Sequence, residues 1–424
     1  MVKMKIFSDL HIHSRYSRGC STKIDIENLE KHARLKGITL LGTGDFTHPE
    51  WLKELKEKLT EDEGILRTAN DFPFMLQTEI SLVYTQDGKG RRIHNVVLAP
   101  SFEVVDQIND FLLTKGRLDY DGRPIFKIPC PEFVESLRKI DRRIEVIPAH
   151  IWTPWFSLFG SKSGFDSVKD CFQDQTQHIH AMETGLSSDP AMNWRLKQLD
   201  RYALVSFSDS HSFWPWRIGR EQTIFDVHKL TYNHILHAIR TKEGIDSTIE
   251  FWPHEGKYHY DGHRNCDVCI APSETMRLDG ICPKCGRPLT IGVAYRVEEL
   301  ADREEGARAP DARQFKNIIP LSECIAGILK TSVTTKKVWA AYNDLIKTFG
   351  NEMAVLLDAP ADELLKVIDK KVADVIIRNR NEKIEFAPGY DGVYGVPLFY
   401  PDDIEKQQAE IKKIEGGDDG SKED

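Results

Sequence analysis

Short apolar segments alternate with amphipathic segments through roughly the first 250 residues. Amphipathic segments with helical periodicity predict helices at residues 26–37, 102–115 and 131–141. Strand–helix alternation is typical of α/β folds with parallel strands, and about seven repeats favour a closed or nearly closed barrel over an open sheet. The predicted strands are the apolar runs 5–13, 38–45, 74–84, 93–99, 144–150, 179–185 and 203–211.

The hydrophobic pattern changes after residue 250. The next segment is rich in His, Cys and Gly and has little apolar periodicity, whereas helical periodicity returns further on, for example at 334–350 and 361–380. The last residues are acidic and are expected to be disordered. The sequence therefore predicts a barrel over 1–250, a metal-binding module over 251–295, a helical domain over 296–400 and an acidic tail over 401–424.

Composition is that of an ordinary globular protein. Of the 424 residues, 40% are hydrophobic and 29% charged, and no apolar run approaches the roughly 20 residues of a membrane span. The first residues turn polar too soon for a signal peptide. We therefore expect a soluble intracellular protein, cytoplasmic or associated with the nucleoid, without a membrane partner.

Net charge does not exclude a nucleic-acid partner. The chain carries a formal charge of −9, but residues 401–424 contain nine acidic residues and four lysines. The rest of the chain is nearly balanced, with 53 basic against 57 acidic residues. A local basic groove is therefore compatible with the overall sign.

Metal-ligating residues recur at the predicted strands. Asp9, His11 and His13 alternate, so that on an extended strand they point to one face. Other candidates lie within or at the ends of strands: Asp45, Glu79, His94, His150, Asp209 and His211. Burying so many ionisable groups is favourable if cations neutralise them, although satisfied core histidines are the alternative.

The ligand types predict two or three divalent ions, Zn²⁺ with Mg²⁺ or Mn²⁺ as alternatives. Such ions activate water for attack on phosphorus, so no covalent nucleophile is required, and no GxSxG motif is present. The predicted catalytic residues are the ligands themselves: His11, His13, Glu79, His94, His150, Asp209 and His211.

Two CxxC pairs predict a second kind of metal site. Cys266 and Cys269 are followed after twelve residues by Cys282 and Cys285. In a reducing compartment this spacing is typical of a structural zinc module, whereas a redox dithiol usually needs a single pair. Such a module binds nucleic acid or only holds domains together.

Aromatic and basic residues follow two of the candidate ligands. Indole rings beside a phosphoester site could stack on an extruded base, and arginines could bind the flanking phosphates. The alternative is that these aromatics pack against neighbouring loops. The predicted substrate-binding residues are Trp152, Trp155 and Phe156 after His150, and Trp214, Trp216, Arg217 and Arg220 after His211.

The first 250 residues resemble the PHP family of polymerase- and histidinol-phosphatase-like hydrolases. The resemblance rests on the motifs DLHIHS (9–14), GTGD (42–45), TEI (78–80), IHNVV (93–97), PAH (148–150) and SDSH (208–211). It implies a distorted (β/α)7-type barrel. It also implies one metal held by His11, His13, Glu79 and Asp209, a second bridged by Glu79 to His94 and His150, and a third involving His211. The family's second motif reads Asp-His, but here Phe46 follows Asp45, with His48 as an alternative ligand.

The barrel followed by the cysteine module, the helices and PGYDGVYG (388–395) is similar to the archaeal endonuclease Q family over nearly the whole chain. That resemblance implies a DNA-repair endonuclease that cleaves 5′ to deaminated bases (uracil, hypoxanthine, xanthine) and abasic sites. It also implies that the helical domain over 296–400 grips DNA. A small-molecule phosphatase of the histidinol-phosphate type would leave about 170 residues unexplained. A non-catalytic binding module is the third possibility.

A sliding clamp is the one further protein partner that the sequence suggests. Gln408, Ile411 and Ile414 have the spacing of a clamp-binding peptide, but its usual aromatic pair is missing.

Overall fold

The computed structural model describes residues 3–400. In that range the strands are β1 (Met4–Asp9), β2 (Leu40–Gly42), β3 (Thr60–Asp62), β4 (Ile65–Arg67), β5 (Pro73–Met75), β6 (Gln77–Gln86), β7 (Lys89–Leu98), β8 (Ile125–Phe126), β9 (Glu145–Pro148), β10 (Ala181–Glu183), β11 (Ala203–Val205), β12 (Gln222–Val227), β13 (Ile245–Glu250), β14 (Asp261–His263), β15 (Val268–Ile270), β16 (Gln314–Asn317), β17 (Glu385–Ala387) and β18 (Val396–Leu398).

The α-helices are α1 (Ile26–Lys36), α2 (Pro49–Lys58), α3 (Phe102–Leu113), α4 (Cys130–Ile140), α5 (Val168–Phe172), α6 (Pro190–Asn193), α7 (Tyr232–Thr241), α8 (Pro272–Arg277), α9 (Val293–Leu300), α10 (Leu321–Leu329), α11 (Lys336–Phe349), α12 (Ala361–Val367) and α13 (Lys370–Arg380). Short 3₁₀ turns lie at Gln173–His178, Lys197–Leu199, Pro253–Glu255 and Arg264–Cys266, and a π-helical turn covers Ala354–Asp358.

Capping residues set the ends of the predicted helices. Asp25 accepts a hydrogen bond from the backbone N–H of Asn28 at the start of α1, which ends at Gly37 with a φ of 98°. The segment 361–380 contains two helices, because Asp369 accepts from the N–H of Lys371 and starts α13. The helices that the periodicity predicts near 26, 102 and 131 are confirmed as α1, α3 and α4.

Two large sheets and a strand pair build an α/β fold around a shared core. The larger sheet has the order β16-β13-β12-β1-β2-β5-β4-β3, the second has the order β8-β6-β7-β9, and β10 pairs with β11 in parallel. Closure into a seven-unit barrel stays a prediction. Residues from successive strands nevertheless meet in one buried cluster, which includes Ile6, Leu40, Met75, Val96, Ile147, Ala181, Val205 and Phe225.

The strands are not uniformly parallel, and the expectation of parallel pairing was wrong for several of them. β1 pairs antiparallel with β12, and β7 pairs antiparallel with both β6 and β9. The hairpin β6–β7 forms because Asp87 and Gly88 both adopt positive φ, at 52° and 74°, as a tight two-residue turn requires. The apolar runs 74–84 and 93–99 therefore have no helix between them.

The helical part packs directly on the sheet. Ile224 of β12 and Ile249 of β13 share a buried cluster with α10, α11 and α13, and β16 adds a parallel strand to β13. A buried ion pair ties the helical part to α1, since the Lys36 ammonium lies 2.7 Å from the Glu352 carboxylate. The free Glu352 oxygen accepts from Tyr342, so neither charge is left unpaired.

No helix among residues 3–400 is both long and apolar enough to cross a bilayer. The predicted acidic tail and the clamp-like peptide at 408–414 lie outside the described residues.

One buried carboxyl group should make stability depend on pH. Burial raises the pKa of Glu250, on β13, from its ordinary value near 4.5 to about 8. Between these values the folded protein holds a proton that the unfolded chain has released, so stability falls as pH rises through this window. We expect Glu250→Gln to remove a destabilisation on the order of a few kcal/mol above about pH 8 and little at pH 5.

Thermal unfolding midpoints at pH 5, 7 and 9 would measure this effect. Glu57→Gln, on the exposed face of α2, is the control and should keep the wild-type pH dependence. Equal stabilisation by Glu250→Gln at all three pH values would contradict the assignment.

Candidate metal centre

Backbone hydrogen bonds join neighbouring strands and the loops that follow them into one rim. They run from Thr43 to Met75, from Ala149 to His94, from Ile151 to Glu183, from Thr184 to Val205 and from His13 to Ser210. Asp45, His150 and Asp209 on this rim have φ values of 38°, 32° and 47°, in the sparsely populated left-handed region. The strand ends therefore turn sharply and bring side chains from distant parts of the chain together.

Four side chains on this rim form a first group of metal-ligating atoms. One ligand atom each from His11, His13, Glu79 and Asp209 lies within 4.8 Å of the others. The His13 Nε2 lies 3.1 Å from the Asp209 carboxylate and 3.2 Å from the Glu79 carboxylate. Ligands of a tetrahedral zinc ion lie roughly 3.3 Å apart, so these separations suit a shared cation.

A second group consists of Glu79, His94 and His150. The Glu79 Oε1 lies 2.7 Å from the His94 Nδ1 and 3.2 Å from the His150 Nε2, whereas the Glu79 Oε2 faces His13. Glu79 therefore offers one oxygen to each group. The His11 Nε2 is buried and has no hydrogen-bond partner among the described residues, which is costly unless a cation occupies the site. Imidazole and carboxylate ligands fit divalent transition metals.

Further side chains hold the imidazole rings in place. The His11 Nδ1 lies 2.9 Å from Glu183, the His13 Nδ1 lies 3.0 Å from Asp45, and the His150 Nδ1 lies 3.1 Å from the Thr153 hydroxyl. Each contact leaves Nε2 turned toward the metal-ligating groups. Sequence reasoning missed Glu183, although a carboxylate inside the apolar run 179–185 is the same signal that identified Glu79.

The charges of the cluster compensate one another. Burial favours a neutral Glu79, but His94, Arg123 and His11 outweigh it and hold the pKa of Glu79 well below its usual range. Burial lowers the pKa of His94 to about 4. For His11, burial is opposed by Glu183 and Glu79, which raise the pKa of the ring well above its ordinary value. Arg123 is a second residue that the sequence did not single out.

Asp9 is not a ligand in this arrangement, although it opens the His-rich strand. Its carboxylate accepts from the backbone N–H groups of Ser208 and Gly219, at 3.0 and 2.8 Å, and from the Ser208 hydroxyl. It therefore fastens β1 to the loop after β11.

The predicted third metal position is not assembled among the described residues. Asp45 accepts from His13, from the backbone and hydroxyl of Ser14 and from Ser17, so both of its oxygens are used. His48 stacks on Tyr16 at 4.1 Å between ring centroids. His211 lies beside His13, with ring centroids 4.5 Å apart, but outside both groups. A third ion stays a prediction.

The predicted substrate-binding residues after His150 divide into buried and accessible ones. Trp152 is buried and donates to Asn193 at 2.8 Å, so its expected role as a stacking platform was wrong. Trp155 is 41% exposed, and the half-buried Phe156 packs against the His94 ring at 4.7 Å.

The residues after His211 lie between the strand-rich part of the chain and the helical part. Trp214 stacks on Trp216 at 5.1 Å, and both rings contact Trp339 of α11 at 5.5 Å. These rings therefore pack against one another and against α11, while Trp214 stays 37% exposed. Arg217 is exposed, whereas the half-buried Arg220 donates to the Ser208 carbonyl at 3.3 Å.

The cysteine module brings three of its four cysteines together with a histidine. His263, Cys266, Cys282 and Cys285 each place a ligand atom within 4.8 Å of the others. Cys269 lies on β15 opposite Gly262, on the other face of the β14–β15 hairpin from His263, and its thiol lies 3.9 Å from the Pro388 carbonyl. His263, which lies just before the cysteines in the sequence, therefore joins the group in place of Cys269, and the four-cysteine ligand set stays a prediction.

The two alternative ligand sets predict different zinc contents. If the group of one histidine and three cysteines holds the metal, His263→Ala and Cys285→Ser should lose the bound ion, whereas Cys269→Ser should retain it. Elemental analysis after dialysis, combined with thermal unfolding, would measure the loss. Zinc lost from Cys269→Ser but kept by His263→Ala would instead favour the four-cysteine set.

Comparisons of sequence connect the chain with uncharacterised proteins. Residues 320–383 match the family described as the MJ0043 C-terminal domain. The chain is 34% identical to the uncharacterised protein MJ0043 of Methanocaldococcus jannaschii over 266 residues, which are 61% of this chain but only 33% of that protein. It is 29% identical to the uncharacterised protein YqxK of Bacillus subtilis, over 92% of this chain and 98% of that protein.

Solved structures give a match over nearly the whole chain. The lesion-specific endonuclease PfuEndoQ from Pyrococcus furiosus is 31% identical, with a TM-score of 0.84 over 97% of this chain and 99% of that chain. An endonuclease Q bound to a 27-mer duplex with an abasic lesion at its active site is 32% identical, with a TM-score of 0.83 over 94% of this chain and 98% of that one. This chain therefore belongs to the endonuclease Q family and is an enzyme, a metal-dependent endonuclease.

Proposed function

We propose that this protein nicks duplex DNA on the 5′ side of deaminated bases (uracil, hypoxanthine and xanthine) and of abasic sites. The observation that carries the proposal is the sharing of Glu79 between two groups of metal ligands. The fold supports a DNA substrate, since it matches an endonuclease Q bound to an abasic duplex over 94% of the chain.

We assign the work to four parts of the chain: a catalytic barrel (1–250), a zinc module (251–295), a helical domain that grips the duplex (296–400) and an acidic tail (401–424). In the catalytic part, one ion would be held by His11, His13, Glu79 and Asp209, and a second by Glu79, His94 and His150. When bound, these ions supply a more acidic water and neutralise charge on the phosphate. Zn²⁺ is the expected metal, with Mg²⁺ and Mn²⁺ as alternatives.

The reaction is a hydrolysis of one phosphodiester. A bond forms between a water oxygen and phosphorus, the bond from phosphorus to the 3′ oxygen breaks, and that oxygen takes up a proton. The products are a 3′-hydroxyl and a 5′-phosphate on the side of the lesion. Glu183, Asp45 and Thr153 contribute by holding the His11, His13 and His150 rings in a single orientation throughout this reaction.

An accessible aromatic and basic surface adjoins the metal centre. Trp155 lies 5.8 Å from Tyr258 between ring centroids, and the Lys257 ammonium lies 5.6 Å from the Tyr258 ring and 5.8 Å from the Tyr394 ring. Tyr394 is 68% exposed. Damaged bases leave the helical stack at lower cost than intact ones, and aromatic rings of this kind stack on bases without reading their sequence.

The nicking activity can be tested directly. A 5′-labelled duplex with one uracil, hypoxanthine, xanthine or abasic site should give a single nick 5′ to the lesion in the presence of a divalent metal. Chelation should abolish nicking and metal should restore it. His11→Ala should lower the rate at least about 100-fold because a ligand is lost.

His237→Ala is the matched control, since His237 lies on the exposed side of α7 and should leave the rate unchanged. Nicking by His11→Ala at the wild-type rate would contradict the assignment of His11 as a ligand of a catalytic metal. Phosphate release from histidinol phosphate without nicking would instead favour a small-molecule phosphatase.

The role of Trp155 can be tested by binding. Trp155→Ala should weaken the affinity for an abasic or uracil duplex about 5- to 150-fold, because a stacked base is worth about 1–3 kcal/mol. Trp155→Phe keeps an aromatic face and should stay near wild type. Fluorescence anisotropy at fixed salt would measure both dissociation constants, and equal affinities for wild type and Trp155→Ala would contradict the role.

A further inference from the structure

Arg123 lies against the metal centre and is not used by the ligand sets described above. Its Nη1 donates to the Glu79 Oε2 at 3.0 Å, the oxygen that faces His13. This is its one side-chain hydrogen bond among residues 3–400, and the side chain is 27% exposed. The remaining N–H groups of the guanidinium are therefore available beside the two groups of metal ligands.

The loop that carries Arg123 is fastened to the same centre. The buried Asp121 accepts from the backbone N–H of Arg123 at 3.1 Å. Gly122 donates to the Tyr16 carbonyl at 3.1 Å, and its own carbonyl accepts from the Thr47 hydroxyl at 3.3 Å. These contacts fix the position of Arg123 before any substrate arrives.

Gly122 itself is required for this close approach. A Cβ at this position would lie 2.2 Å from the Asp45 Oδ2 and 2.3 Å from the Ser17 Oγ, well inside any real contact distance. The loop can therefore pack on Asp45 only with glycine at its tip, and this packing brings the next residue, Arg123, to Glu79.

Most of the Arg123 guanidinium is available to bind a negatively charged substrate group. Asp45 has both oxygens occupied by protein donors, and neither it nor His211 joins a group of metal ligands. A guanidinium stays protonated and offers several donors in a planar fork that suits phosphate oxygens. Glu79 uses only one of its N–H groups.

We propose that Arg123 binds a non-bridging oxygen of the scissile phosphate and stabilises the negative charge that develops there, in the place of a third metal ion. This inference rests on the proposed function, because it assumes a phosphodiester at the metal centre. Arg123 would then be a catalytic residue. The competing role is structural, in which Arg123 only neutralises the buried Glu79 carboxylate.

Arg123→Gln and Arg123→Lys separate the two roles. Arg123→Gln should lower kcat for lesion nicking about 100-fold, the usual effect of losing one donor to a developing charge, whereas the metal content stays at the wild-type level. Arg123→Lys keeps the positive charge but not the planar fork of donors, so its kcat should lie between those of wild type and Arg123→Gln. Arg117→Gln is the control, because Arg117 lies in the same loop, is 75% exposed in its side chain and pairs with Asp119.

A binding measurement gives a readout that does not depend on turnover. A duplex with a neutral methylphosphonate at the scissile position should bind wild type more weakly than the natural duplex. For Arg123→Gln this difference should be smaller, because the charge partner is already absent. Two results would overturn the proposal in favour of the structural role. One is an affinity difference between the two duplexes that is the same for Arg123→Gln as for wild type. The other is a loss of bound metal from Arg123→Gln together with a kcat that saturating metal restores.

The proposed function and this inference can fail separately. If wild type nicks no lesion duplex, bis(p-nitrophenyl) phosphate replaces it as a diester substrate. A kcat defect of Arg123→Gln on that substrate supports the inference even though the lesion-directed function has failed. Equal kcat values for wild type and variant on that substrate would overturn it.

Discussion

The burial of the Glu79 carboxylate is the constraint around which the two groups of metal-ligating side chains are organised. A fully buried carboxylate is costly without compensation, and Glu79 is compensated from all sides by His11, His13, His94 and Arg123. Because it offers one oxygen to each group of ligands, its position on β6 decides where both groups meet. A cation in either group would therefore lie beside this side chain.

Two further buried carboxylates hold the metal-ligating histidines in position. Glu183 holds the His11 ring and also accepts from the backbone N–H of His150, so a single carboxylate links both ligand groups through their supports. Asp45 likewise accepts hydrogen bonds from the His13 ring and from Ser14 and Ser17 in the loop that follows. These residues resemble ligands in type, but their oxygens are already used, which explains why the centre assembles two groups from a longer set of candidates.

The helical part contacts α1 and the loop after His211. The Lys36–Glu352 pair and the contacts of Trp214 and Trp216 with Trp339 join α1 and the loop after His211 to α11 and its neighbours. Lys36 also donates to the Pro215 carbonyl at 2.9 Å, so the same ammonium fixes the loop that carries the tryptophans. The aromatics after His211 take part in this contact, and both Trp214 there and Trp155 on the other loop stay accessible, at 37% and 41% exposure.

The sequence by itself determined the α/β character, the helices near 26, 102 and 131, and the candidate ligands from His11 to Asp209 that the structure brings together. A local pattern was sufficient to select these candidate ligands, because ionisable residues within apolar strands are rare. It could not determine which carboxylates are ligands and which are supports, since Asp45, Glu79 and Glu183 look alike until hydrogen-bond partners are known. Only the tertiary structure placed His263 with the cysteines, buried Trp152 and brought Arg123 to Glu79. These contacts join segments far apart in the chain, so no local pattern specifies them.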